Sequence, residues 1–114
     1  PQVPAAAVEQ AAGAIGRFSG VDQTYQTVAS WTVAASKVGE LKEIILVSSD
    51  YTHTHFQVTV GAVVYCTDTL VRIATPFVFG DLKLAAAAVV LVEAKSTDGT
   101  SITVDGIITA KEIG

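Results

Sequence analysis

A chain of 114 residues, 50% hydrophobic and 16% charged with a mean hydropathy of +0.49, suits one domain around one core and is too short for two. Seven Lys and Arg against eleven Asp and Glu leave a net charge of −4. The basic residues are scattered from Arg17 to Lys111, which argues against a phosphate-binding surface and against nucleic acid as a partner.

Residues 1 to 20, PQVPAAAVEQAAGAIGRFSG, are alanine-rich and interrupted by Pro1, Pro4, Gly13, Gly16 and Gly20. Pro4 to Ala12 suits about two helical turns, because proline is tolerated at a helix start and alanine has the highest propensity, but so short a helix is marginal alone. The stretch reads as an extended N-terminal arm ahead of a domain at 21–114. Val8, Ile15 and Phe18, apolar residues for which a solvated tail has no use, are its candidate partner-binding positions.

From Tyr25 the period becomes two. Thr27, Ala29, Trp31 and Val33 share one face of a strand, which makes Trp31 a candidate for the centre of the core. A loop at Ser36 to Gly39 precedes Leu41 to Val47, where Ile44-Ile45-Leu46-Val47 is apolar on both faces. Ser48 to Thr54 is a polar loop, and Phe56 to Val60 alternates cleanly before Gly61 turns the chain into Ala62 to Tyr65. Leu70 to Ala74 suggests a short strand, Pro76 an edge or a turn, and Gly80-Asp81 a break after Phe77-Val78-Phe79. In LKLAAAAVVLVEAK, from Leu82 to Lys95, the alanine block favours helix and the valines favour strand.

Beyond it, Ile102, Val104, Ile108 and Ala110 fall on one face and Thr103, Asp105, Thr109 and Lys111 on the other, with Ile107 the apolar exception. Asp98-Gly99 suits a tight type I′ turn. A hairpin there requires a partner strand, so Ala88 to Ala94 is assigned as strand. Seven or eight short strands with no internal helix predict an all-β, antiparallel, jelly-roll-like β-sandwich.

Chemistry is sparsely signalled. Asp50, His53 and His55 form the one cluster of ligand-like side chains, and His-x-His on a strand points both rings the same way, but a third firm ligand is missing and no metal or cofactor is assigned. No nucleophile elbow, phosphate loop, Cys-x-x-Cys or His-Glu-x-x-His occurs, so the expectation is a protein that is not an enzyme. Cys66, the only cysteine, excludes an intrachain disulfide and reads as a small buried hydrophobe. Tyr25, Tyr51 and Tyr65 are the available residues for a sugar-binding platform. No run reaches the eighteen or so apolar residues of a membrane helix. The first residues also lack a signal-peptide pattern, which points to synthesis in the cytoplasm and no membrane partner.

With arm and strands placed, the chain resembles the small jelly-roll decoration, or cement, proteins of tailed bacteriophage capsids. The resemblance lies in the layout of an Ala/Gly/Pro-containing arm followed by a compact β domain. It implies a noncatalytic virion protein, a homotrimer seated on the major capsid protein at the capsid surface. The alternative is a receptor- or carbohydrate-binding β-sandwich of a phage tail or cell-surface assembly. Independently of the resemblance, Ile44 to Val47 and Ala85 to Val92 are apolar where a half-solvated sandwich should alternate, so their outer faces need cover from another subunit or from the arm.

Overall fold

The computed structural model describes residues 8–114. Eight strands run in chain order: β1 (Glu9–Gly20), β2 (Gln26–Thr32), β3 (Val38–Ser48), β4 (Thr54–Val60), β5 (Val63–Thr69), β6 (Thr75–Leu84), β7 (Val89–Ser96) and β8 (Ile102–Ile113), with one 3-10 turn at Tyr51–His53. They form two four-stranded antiparallel sheets, ordered β1-β8-β3-β6 and β2-β7-β4-β5. Two facing sheets in this order are a jelly roll, as the strand spacing predicts.

The alternation read from the sequence places the core. Ile102, Val104, Ile108 and Ala110 of β8 are buried, and so are Leu41, Ile44 and Leu46 of β3. Against them pack Trp31, Phe56, Val58, Val90, Val92 and Ala94 of the other sheet. Trp31 is core, as expected, and its indole N–H donates to Glu112 Oε2 at 3.2 Å. The same carboxylate oxygen accepts the Ala34 amide at 2.9 Å.

Several expectations give way. Val89 to Ala94 of the expected Ala88 to Ala94 strand lie in β7, with Ala88 just before it, but β7 and β8 lie in opposite sheets, so the chain does not end in a hairpin. Of the Asp98-Gly99 pair only Gly99 has positive φ, at 88°. The segment is an arch: Ser96 Oγ donates to the Thr100 carbonyl and accepts the Gly99 amide, and Asp98 accepts the Thr100 amide. A true two-residue hairpin turn joins β4 to β5, where Gly61 (φ 55°) and Ala62 (φ 69°) both take the left-handed conformation that a type I′ turn demands.

Glu9–Gly20, read as part of an arm, is β1, paired residue by residue with β8 from Glu9↔Ile113 to Gly20↔Ile102. Its glycines mark close approach: a Cβ on Gly16 would lie 1.9 Å from the Val28 carbonyl oxygen. The expected helical turns over Pro4 to Ala12 lie partly outside the described residues, and Glu9 to Ala12 are strand. Leu70 to Ala74 is a connection rather than a strand. Gly80-Asp81 does not end its strand: both residues have positive φ where the β3–β6 register shifts, so the break is a bulge inside β6. Ala85 to Ala88 is neither helix nor strand but a turn bonded to Val33 through Val33 N–H to Ala88 O and Ala87 N–H to Val33 O, both at 2.9 Å.

Candidate interaction surface

The outer face of the β1-β8-β3-β6 sheet carries an apolar row. Because Ile44 and Ile108 point into the core, their neighbours Ile45 and Ile107 must point out. The register sets Ile15 opposite Ile107, Ile107 opposite Ile45, and Ile45 opposite Pro76, so one apolar line crosses all four strands. In the next row Val78 lies opposite Glu43. Ile15 is 81% exposed and Val78 73%.

Ion pairs bound this row. On one side Arg17 Nε donates to Asp105 Oδ1 at 2.7 Å and its Nη2 to Oδ2 at 3.1 Å. That bidentate contact holds the Asp105 carboxyl below the usual carboxylate range. Toward the other end Lys111 reaches Glu9 and Glu40, each at 3.3 Å, and Lys83 also pairs with Glu40. An apolar centre with a charged rim is the anatomy of a protein–protein contact.

The sandwich is also unevenly closed. On one flank β1 and β2 touch, Gly16 against Val28. On the other, β5 and β6 leave an open groove of about 450 Å³ lined by Tyr65, Phe77, Val78, Phe79 and Leu82. Within it the Tyr65 and Phe79 rings meet edge to face, with centroids 5.3 Å apart. The half-buried Cys66 lies on β5 opposite Val58.

The histidine cluster does not assemble. His53 Nδ1 lies 2.8 Å from Asp50 Oδ2 and its Nε2 3.6 Å from Asp98 Oδ2, so one imidazole stands between two carboxylates from different loops. The hydrogen bond to Asp50 raises the His53 pKa above its ordinary value, and the charge of Asp98 adds to it. His55 instead lies toward Asp68, at 3.9 Å. Among the described residues no group of three or more His, Cys, Asp or Glu side chains is arranged so that it could hold a metal ion.

The tyrosines are likewise engaged. The Tyr25 hydroxyl donates to Asp68 Oδ1 at 2.6 Å, and Lys95 sits 4.5 Å above its ring while also pairing with Asp68 at 2.9 Å. Tyr51 packs against the core. The arm candidates separate too: Val8 is exposed just before β1, Ile15 projects from the outer face, and Phe18 is half-buried against the core opposite Val104. The residues that line the apolar row, Ile45 and Ile107, were visible in sequence as departures from alternation. Their adjacency was not, since it depends on the β3–β8 register.

No protein-family model matches the chain, and no curated protein does. Among solved structures it is similar to a chain of the cyanophage Pam1 capsid asymmetric unit, at 13% identity with a TM-score of 0.51, over 97% of this chain and 89% of that one. It is also similar to the CBM36-1 domain of a multidomain xylanase from the hindgut metagenome of Trinervitermes trinervoides, at 12% identity with a TM-score of 0.38, over 94% of this chain and 97% of that one. At these identities the likeness speaks to the fold alone, and the second is too distant to add to it.

Proposed function

We propose that this chain is a noncatalytic virion structural protein that decorates a capsid and stabilises it by binding the assembled major capsid protein. The observation that carries this reading is the apolar row Ile107–Ile45–Pro76, with Val78 beside it, on the outer face of a sheet whose inner face is already buried in the core. Contiguous exposed apolar surface on a small domain marks a contact site. The near end-to-end likeness to a chain of a phage capsid asymmetric unit is consistent with this partner. A ligand that binds the assembled shell and not its separated subunits raises shell stability by mass action.

Shells assembled from the major capsid protein of the encoding virus provide the test. The unaltered chain is expected to co-sediment with them and to raise their melting temperature. The Ile45→Lys/Val78→Glu variant should keep its β-rich circular dichroism and lose both effects. Equal binding by the variant would remove the row from the contact, and absence of binding by the unaltered chain, with saturable glycan binding instead, would favour the carbohydrate-binding alternative.

A further inference from the structure

The four sheet edges differ in one respect. The ladders that hold β2, β5 and β6 all contain register shifts, and β6 also carries Pro76; these irregularities discourage a further strand from pairing. β1 has neither device. Its twelve residues follow β8 without a shift, and among the described residues no strand lies on its other edge. Its one departure from ordinary strand geometry is Gly13, at φ 118°, and the ladder stays in register there; so long an edge presents a row of unpaired backbone donors and acceptors, ready to accept a strand.

We infer that β1 pairs antiparallel with β1 of a second copy of this chain, about a two-fold axis at Gly13, joining two sheets into one of eight strands. The side chains select that register. With Gly13 opposite its own copy, Glu9 faces the partner's Arg17 and Arg17 faces the partner's Glu9. All of these odd-numbered residues lie on the outer face, in the same alternation as Ile15. Because Arg17 is already bound to Asp105 and Glu9 to Lys111, the contact completes a line of alternating sign: Asp105, Arg17, the partner's Glu9, the partner's Lys111. In the same register Ile15 stands opposite the partner's Ala11 and beside its Gly13, small residues that leave space for the isoleucine. Sliding by two residues places Glu9 opposite Ile15 or Ser19 and loses the charge match.

The pairing also accounts for Ile15, the most exposed large apolar residue of the described chain. It covers Ala11 of the other copy and carries the apolar row across the joint. An antiparallel strand pair closes with two copies, so the expected assembly is a dimer in place of the trimer implied by the resemblance. The inference does not rest on capsid binding.

Sedimentation of the unaltered chain at micromolar concentration should show a dimer. Ile15→Lys, at a position too exposed to support the fold, should sediment as a monomer with unchanged circular dichroism. In a Cys66→Ser background, the double variant Ala11→Cys/Ile15→Cys should form a disulfide-linked dimer on mild oxidation, because positions 11 and 15 face each other across the two-fold axis. Ala11→Cys alone should not, since its two copies lie four residues apart along the ladder. A monomeric or trimeric unaltered chain, dimers that persist in Ile15→Lys, or equal cross-linking of the single cysteine variant would overturn the inference. A monomer whose position 15 cross-links to capsid protein would assign the edge to the shell instead.

Discussion

Gly16 stands directly opposite Gly106 in the β1–β8 ladder, and β2 crosses over both. A Cβ on Gly16 would lie 1.9 Å from the Val28 carbonyl oxygen, whereas one on Gly106 would meet only side chains, Val28 Cγ1 at 3.1 Å and Val92 Cγ1 at 3.2 Å. Backbone cannot yield as a methyl group can. Gly16→Ala is therefore expected to destabilise the fold by about 3 kcal/mol, the upper range for overpacking, and Gly106→Ala by about 1 kcal/mol. Urea denaturation of the two variants checks the order, and equal losses would contradict it.

Glu112 ties the last strand to the β2–β3 connection, its Oε2 accepting both the Trp31 indole N–H and the Ala34 amide. Glu112→Ala leaves both donors without this acceptor and should cost about 1–3 kcal/mol. Glu112→Gln keeps an acceptor oxygen and should cost less. Tryptophan fluorescence during denaturation reports both stability and the environment of Trp31.

Ala62 takes φ 69° in the β4–β5 turn, a conformation in which a Cβ is unfavourable. Ala62→Gly is expected to stabilise the protein by about 1 kcal/mol, the strain relieved outweighing the added freedom of the unfolded chain. A lower denaturation midpoint would show that the turn does not hold this geometry.

His53 supplies a pH dependence with a definite sign. Its folded pKa is raised, so the stabilisation from the Asp50–His53–Asp98 contact is complete below the unfolded value of about 6.5 and fades as pH rises through the folded value. Titration of the His53 ring by NMR should give a pKa above 6.5. Asp50→Asn should lower it more than Asp98→Asn does, because Asp50 makes the hydrogen bond at 2.8 Å and Asp98 lies at 3.6 Å. A ring that titrates identically in all three proteins would refute the contact.

Local pattern carried the strands and the core, because alternation records which face is buried. It placed Trp31 and the buried face of β8 correctly, and it marked Ile107 and Ile44 to Val47 as exceptions. Partnership is a different property. Asp98-Gly99 has the composition of a hairpin turn, yet the chain uses it to pass between sheets, since β8 finds its partners in β1 and β3, far away in sequence. The same blindness applies to residues 9–20: Ala suggests helix and Gly a break until β8 lies on one side and β2 above. His53 and His55 share a spacing but not a site, because His53 belongs to the 3-10 turn and His55 to β4.

The strand order has a consequence for how the chain acquires its structure. Only the β4–β5 connection joins neighbours within a sheet, so almost every ladder must close over a long stretch of intervening chain. Such topologies fold slowly, since loop-closure entropy is lost before contacts repay it. β8 is the extreme case: it is the last of the eight strands, and β1 and β3 each depend on it for their long common ladders. Until Ile102–Ile113 arrives, a growing chain holds β1 without its partner, and the sheet that presents the apolar row cannot assemble around its centre. The outer face that carries the apolar row is thus completed only once β8 has paired with β1 and β3, and a nascent chain that still lacks β8 has no such finished surface.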